Sequence, residues 1–210
     1  LKAVLMENSY IIPFYEMERT GFDLDLEYLH ACRLRMKAYI LSKRQRLAEL
    51  SGGTMTCNQH AKIKQILAEQ GVHCTATGSE ELDLLVSQLR DTSPWHPAIE
   101  LVTIVQELRT LEKWYTTYLL RFTRQNKPKA YTQISQVGAA SGRVTSDFQQ
   151  FPKEAILDDQ GNELFHPRRM VRVDAPDYPE IVYLDWSQIE LRLQALYTIL
   201  LGEPDLNLCR

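Results

Sequence analysis

Residues 21–53, GFDLDLEYLHACRLRMKAYILSKRQRLAELSGG, have the spacing of one long helix. Asp25 can cap its amino end, and Gly52 with Gly53 can end it. A helix from 25 to 50 would be roughly 39 Å long. Apolar residues recur on one face at intervals typical of a helix: Leu29, Cys32, Met36, Ile40, Leu47 and Leu50. Basic residues crowd the other faces, and they predict contact with either solvent or a polyanion.

Residues 93–122, SPWHPAIELVTIVQELRTLEKWYTTYLLRF, predict a second long helix. Pro97 suits its first turn. One face of this helix is apolar and aromatic: Leu101, Val105, Leu108, Leu111, Tyr115, Tyr118, Leu119 and Phe122. Two shorter helices are predicted between the long ones, the first capped by Thr56 or Asn58 and the second by Ser79. This order of helices predicts an elongated helical lobe.

The pattern changes after residue 124, where short runs and turns replace the long helices. Strands are predicted over 131–136, near 169–173 and over 181–184, and a helix follows the last of them. The predicted fold class is therefore α+β: an elongated helical lobe, then part of a small antiparallel sheet with a helix. We expect one domain over 1–124 and a second over 125–210.

The 210 residues carry a formal net charge of −3, but the charge is unevenly distributed. Residues 1–150 are slightly basic and suit a phosphate backbone, whereas residues 151–210 are acidic and suit metal ions. Four scattered cysteines without a Cys-x-x-Cys pair favour reduced thiols in a cytoplasmic protein over a zinc site or disulfides. Charged residues interrupt the apolar amino-terminal stretch, at Lys2 and Glu7, so we expect neither a signal peptide nor a membrane span.

The stretch LDWSQIELRLQAL, residues 184–196, places a carboxylate where an apolar strand passes into a helix. Asp185 stands at the junction, and Ser187 can cap the helix. A strand end is a suitable place for a metal ligand, and Glu190 could face the same cleft. The alternative is that Asp185 only ends the strand and Glu190 is a solvated helix acid.

A second motif, SGRVTSDFQQFP, occupies residues 141–152. Gly142 allows a sharp turn, and Arg143 can reach a phosphate or a base edge. Gln149 and Gln150 can donate and accept hydrogen bonds in a minor groove. The alternative for this stretch alone is a polar connection between two strands.

The two motifs together resemble those of family A DNA polymerases, the DNA polymerase I family. DWSQIELR is similar to that family's palm motif, with Trp186 in place of tyrosine. SGRVTSDFQQFP is similar to its upstream motif, and MERTGFDLD is similar to the segment that leads into the thumb. The second long helix is similar to the long thumb helix. The motifs follow one another in the family's order and cover almost the whole chain.

The resemblance implies a nucleotidyl-transfer site that uses two Mg²⁺ ions about 3.5–4 Å apart. Asp185 is then the catalytic carboxylate that bridges both ions, and the backbone carbonyl of Trp186 is a further metal ligand. The helix from Ser187 onward would form the floor of the nucleotide site. The implied nucleotide-binding residues are Ser187, Gln188, Ile189 and Glu190, and Glu190 would lie beneath the deoxyribose.

The resemblance also implies contacts with primer–template DNA. Arg143, Gln149 and Gln150 would follow the minor groove, where every base pair offers acceptors. The basic thumb would hold the backbone, through Lys43, Arg44, Arg46, Arg109 and Lys113. Two departures from the family concern this region. Thr110 and Glu112 stand where the family usually has lysines, and residues 153–167 are longer than usual and acidic.

The implied function is template-directed DNA synthesis from deoxynucleoside triphosphates, present here as an incomplete piece. The implied fingers and second palm carboxylate are missing from the 210 residues. We therefore expect the chain alone to be inactive, and a separate chain that supplies them is a candidate partner. One alternative is a non-catalytic duplex-binding module. Another is a metal nuclease, for which Asp174 and Asp177 are the nearest further carboxylates.

Overall fold

A computed structural model describes residues 8–125, 127–139, 143–173, 180, 182 and 187–202. The helices are α1 (Ile11–Thr20), α2 (Leu26–Leu50), α3 (His60–Glu69), α4 (Ser79–Thr92), α5 (Pro97–Trp114), a π-helical turn (Tyr115–Leu119), α6 (Leu120–Gln125) and α7 (Ile189–Leu200). The strands are β1 (Phe22–Leu24), β2 (Lys129–Ala130), β3 (Ile134–Ser135), β4 (Thr145–Ser146), β5 (Ile156–Leu157), β6 (Glu163–Phe165) and β7 (Val171–Arg172). Short 3₁₀ turns cover Asp147–Gln150 and Pro167–Met170.

Helix α2 has the length and cap that its sequence predicts. The Asp25 carboxylate accepts a hydrogen bond from the backbone N–H of Tyr28 at 2.8 Å, which satisfies one of the unpaired donors of the first turn. Gly52 adopts a positive φ of 64° just beyond the last turn. The predicted apolar face is buried from Leu29 to Leu47. The helix prediction is therefore confirmed at both ends.

The second long helix begins as predicted but is not a single α-helix. Pro97 starts α5, and the His96 side chain accepts from the backbone N–H of Ala98. After Trp114 the chain widens into the π-helical turn before α6. The hydroxyl of Thr116 donates to the carbonyl of Glu112 at 2.7 Å, so a side chain competes for a carbonyl of the preceding turn. Such competition perturbs a helix locally, and sequence periodicity does not reveal it.

The two shorter helices lie where they were expected, but their predicted caps are wrong. The Gln59 N–H donates to the Thr56 carbonyl and closes a turn before the helix. Helix α3 therefore begins at His60, with Gln59 rather than Thr56 or Asn58 at its N-cap position. Helix α4 begins at Ser79 itself, with Gly78 as the preceding residue.

The two long helices pack against each other around one apolar core. Each contributes fully buried side chains, including Leu29, Met36 and Leu47 from α2 and Leu101, Leu108 and Val105 from α5. The shorter helices add Ile63, Leu67 and Leu82 to the same core. Burial of this apolar area is the main stabilising contribution to the helical lobe, residues 26–125.

Three small antiparallel sheets complete the described fold. Strand β1, directly before α2, lies between β2 and β7 and pairs Phe22 with Ala130 and Leu24 with Val171. Strand β3 pairs with β4, and β5 pairs with β6. The sheet around β1 thus joins the start of the helical lobe to residues more than a hundred positions later. The predicted α+β class is confirmed.

The chain divides into two compact units, residues 1–172 and residues 173–210. In the second unit the structure describes α7, which begins at Ile189 rather than at Ser187. Gln188 has a left-handed backbone with φ 53°, and its side chain makes no capping bond. The predicted cap at Ser187 is therefore wrong, because the left-handed backbone of Gln188 separates Ser187 from the first helical residue, Ile189. Most of the predicted strand over 181–184 lies outside the described residues.

The packing of α2 leads to a stability prediction. Leu29 is fully buried, whereas Leu34 on the same helix is 70% exposed. Replacing Leu29 by alanine should lower the free energy of unfolding by about 2–5 kcal/mol, because it removes packed methyl groups and leaves a cavity. Leu34→Ala is the matched control and should change it by less than about 0.5 kcal/mol. Urea denaturation measures both, and equal losses would contradict the assigned core.

Candidate functional site

The SGRVTSDFQQFP motif forms a strand followed by a 3₁₀ turn. Strand β4 leads into the turn, and Ser146 with Gln149 forms a reciprocal capping box at the junction. The Gln149 amide oxygen accepts from the Ser146 backbone N–H, and its nitrogen donates to the Val144 carbonyl, both at 3.2 Å. The Gln149 side chain therefore shapes the loop itself. Gly142 and the side chain of Gln150 lie outside what the structure describes.

Asp147 fixes this loop to the end of the helical lobe. Its carboxylate accepts hydrogen bonds from the Arg121 guanidinium and from the Thr132 hydroxyl. Burial opposes ionisation of Asp147, but the bonds from Thr132 and Arg121 outweigh it and lower the pKa of the carboxyl. Sequence reasoning missed this contact, although the Ser-x-x-Gln capping pattern around Asp147 was a visible signal of a structured turn.

An aromatic cluster also packs against this turn. Phe148 packs edge-on against Phe22 and Phe151, with ring centroids 4.4 and 4.8 Å apart, and it stacks with Phe122. Arg143, in contrast, is exposed. The loop therefore combines an anchored turn with an exposed arginine, and guanidinium groups pair well with anionic groups.

The three basic residues of α2 that were predicted to bind DNA form ion pairs with α5. The pairs and their N–O distances are Lys43–Glu107 (2.6 Å), Arg44–Glu112 (2.8 Å) and Arg46–Glu100 (2.8 Å). The side chains of Arg44 and Arg46 stay about half exposed, whereas that of Lys43 is only 12% exposed. These pairs connect the two long helices, and contact of these residues with DNA stays a prediction.

Arg109 and Lys113 lie on α5 and differ in their surroundings. The Arg109 guanidinium donates to the carbonyls of Cys57 and Thr77, so it ties the loop before α3 and the loop before α4 to the long helix. Lys113 is exposed. Of Arg109 and Lys113, Lys113 therefore has the side chain that is more accessible to a partner.

The Cys57 thiol lies near the same part of α5. Burial, and then the neighbouring Glu112 carboxylate, raise the pKa of this thiol to about 11.

The predicted catalytic pair, Asp185 and Trp186, lies outside the described residues. Ser187 and Gln188 form an exposed turn, and Ile189 and Glu190 are exposed in the first turn of α7. In the part of the chain that the structure describes, histidine, cysteine and acidic side chains form no group of three that could hold a metal ion. Nor is any helix among the described residues long and apolar enough to cross a membrane.

A sequence model of DNA polymerase family A matches residues 26–199. The match includes both long helices, the Arg143 loop and the stretch around Asp185. It covers most of the 210 residues, and the chain belongs to DNA polymerase family A.

Curated relatives agree with this assignment. The chain is 26% identical over 186 residues to DNA polymerase I of Chloroflexus aurantiacus, a span of 86% of this chain and 19% of that protein. It is 26% identical to the thermostable DNA polymerase I of Thermus thermophilus (85% of this chain, 21% of the relative) and 25% identical to DNA polymerase I of Bacillus subtilis (86% and 20%). The chain spans about a fifth of the length of these relatives.

The anchoring of the loop by Asp147 predicts a pH-dependent contribution to stability. The folded-state pKa of this carboxyl is lowered, so its contribution is present above the unfolded pKa of about 3.9 and is lost as the pH falls below it. Asp147→Asn should cost about 1 kcal/mol of unfolding free energy at pH 7. The difference from the unchanged protein should shrink towards pH 3.

Exposed Asp91 on α4 provides the control. Asp91→Asn should leave the unfolding free energy nearly unchanged at both pH values. Thermal or urea unfolding of the three proteins across this pH range is the measurement. An Asp147→Asn effect that stays constant from pH 7 to pH 3 would show that its charge does not hold the loop.

Proposed function

We propose that the chain is the thumb and the first part of the palm of a DNA polymerase and that it binds primer–template duplex. On this proposal residues 1–124 are the lead-in segment and thumb, and residues 125–210 begin the palm. The observation that carries the proposal is the family match over 26–199, which contains the helical lobe and the Arg143 loop together. The anchoring of that loop through Asp147 and the exposure of Arg143 support it.

Arg143 is the first proposed contact with the duplex. A guanidinium on a fixed loop can meet phosphate oxygens or minor-groove acceptors without ordering the backbone at the time of binding. Lys113, Arg44 and Arg46 are proposed as backbone contacts, because their side chains are exposed. Such contacts neutralise phosphates regardless of base sequence.

The remaining predicted DNA contacts need a rearrangement or act indirectly. Gln149 would have to exchange its two bonds within the loop for bonds to the duplex. Arg109 is proposed to support DNA binding by holding the loops that precede α3 and α4. Gln150 stays a proposed minor-groove contact on the strength of the motif alone.

We propose catalysis for the complete polymerase and not for the described residues alone. In the complete polymerase, Asp185 and the Trp186 carbonyl would hold Mg²⁺, which would supply charge stabilisation during nucleotidyl transfer. Residues 187–190 are proposed to border the incoming deoxynucleoside triphosphate, with Glu190 near its sugar. A further chain supplying fingers and the rest of the palm, and a cytoplasmic location, belong to the same proposal.

The proposal is tested by titrating the chain with fluorescently labelled primer–template DNA at several salt concentrations. Affinity should be independent of sequence and should fall steeply with salt, because bound cations displace counterions from the duplex. Arg143→Ala should weaken binding at low salt by roughly tenfold, and it should reduce the slope of log affinity against log salt by about 1.

Arg90→Ala is the matched control, because Arg90 is an exposed arginine on α4 outside the proposed contacts. It removes the same charge and should change affinity much less than Arg143→Ala. If both variants lose affinity equally, binding follows net charge only and the loop is not the interface. If the unchanged protein shows no binding at low salt, the proposed function is wrong.

A further inference from the structure

Within the acidic segment over 153–167, the chain folds into a hairpin against α2. This acidic hairpin comprises β5, β6 and the turn between them, residues 156–165. Its base is part of the core, where Leu164 and Phe165 are buried. The Tyr28 hydroxyl on the first turn of α2 donates to the Glu163 carboxylate at 2.9 Å and accepts from the His166 backbone N–H at 2.8 Å.

The tip of the acidic hairpin reaches the carboxy-terminal half of α2. Asp158 closes the turn by accepting from the backbone N–H groups of Gln160 and Asn162. The next residue, Asp159, binds the Lys43 ammonium at 2.9 Å. Tyr28 and Lys43 lie fifteen residues apart, which is roughly 22 Å along a helix. The hairpin therefore extends along the helix and ends on one of its basic residues.

Lys43 consequently has two carboxylate partners. Glu107 on α5 lies at 2.6 Å and Asp159 at 2.9 Å, so one positive charge faces two negative charges. Burial disfavours the charged lysine, but the bonds to Glu107 and Asp159 outweigh it and raise its pKa. The Lys43 side chain is 12% exposed, whereas that of Asp159 is 62% exposed. A phosphate at Lys43 would compete with these two carboxylates, of which Asp159 is the more exposed (62% against 36% for Glu107).

We propose that the tip of the acidic hairpin is an intramolecular competitor of DNA, in which the Asp159 carboxylate occupies the place of a backbone phosphate at Lys43. The proposal rests on the proposed DNA binding and adds a regulatory contact to it. Asp159 is the partner that is displaced, because it lies at an exposed turn and regains water readily, whereas Glu107 belongs to the helix pair. Duplex binding and hairpin docking are then mutually exclusive at this lysine, and each weakens the other.

The competition makes the effects of two substitutions depend on each other. Asp159→Asn keeps the size of the side chain and removes its charge, so it should raise affinity for primer–template DNA about three- to tenfold at low salt and steepen the salt slope by about 1. Lys43→Ala should have little effect in the unchanged protein, where the lysine is covered. In the Asp159→Asn background, Lys43→Ala should remove the gain.

Glu154→Gln is the control, since Glu154 is an exposed acid of the same segment and the change in net charge is identical. Fluorescence titrations of the whole chain compare all variants. Reaction of Lys43 with an amine-acylating reagent, followed by mass spectrometry, reports without DNA whether Asp159 engages this lysine; it should be faster in Asp159→Asn, because the amine is then less covered and its pKa is lower.

The outcomes separate this proposal from the one on which it rests. A gain in Asp159→Asn that Glu154→Gln does not share, and that Lys43→Ala reverses, supports the competitor. An equal gain in both charge variants, or a loss in Asp159→Asn, overturns it while the proposed function stands. Binding in no variant overturns both, and unchanged acylation of Lys43 in Asp159→Asn shows that Asp159 does not cover it.

Discussion

The contact between the two long helices is the constraint on which the rest of the described structure depends. Its centre is apolar and buried, and the ion pairs Lys43–Glu107, Arg44–Glu112 and Arg46–Glu100 border it. The apolar centre supplies most of the stabilisation, because exposed ion pairs contribute little. The charged border places basic residues of α2 opposite acidic residues of α5. The ion pairs also reduce the uncompensated positive charge on the surface of α2.

The same contact positions the candidate interface. The long helix continues through the π-helical turn into α6, from which Arg121 reaches Asp147 in the motif loop. Strand β1, just before α2, joins β2 and β7 and so brings later residues back to the lobe. Arg143 therefore stands on a loop that is held by the Asp147 carboxylate and by aromatic packing around Phe148. The DNA contact proposed for Arg143 depends on this anchoring of the loop.

Local signals in the sequence predicted the helices well. Asp25, Pro97 and the apolar faces of α2 and α5 act through neighbours a few residues away, so their roles are visible in the linear pattern. The partners of Lys43 and Arg44 lie 64 and 68 residues distant, and no pattern within one helix reveals them. The basic face of α2 accordingly suggested a free cationic surface, whereas the fold pairs much of it. The role of Asp147 was missed for the same reason, since Arg121 is 26 residues away.

Hydrogen exchange of the backbone amides, with and without primer–template duplex, tests the central claim most directly. The account predicts that DNA slows exchange in the loop over 143–151 and speeds it at the tip of the acidic hairpin, which the duplex displaces from Lys43. Exchange in the buried contact between α2 and α5 should stay unchanged. Saturating duplex that leaves the 143–151 amides unprotected would contradict the placement of DNA at this loop.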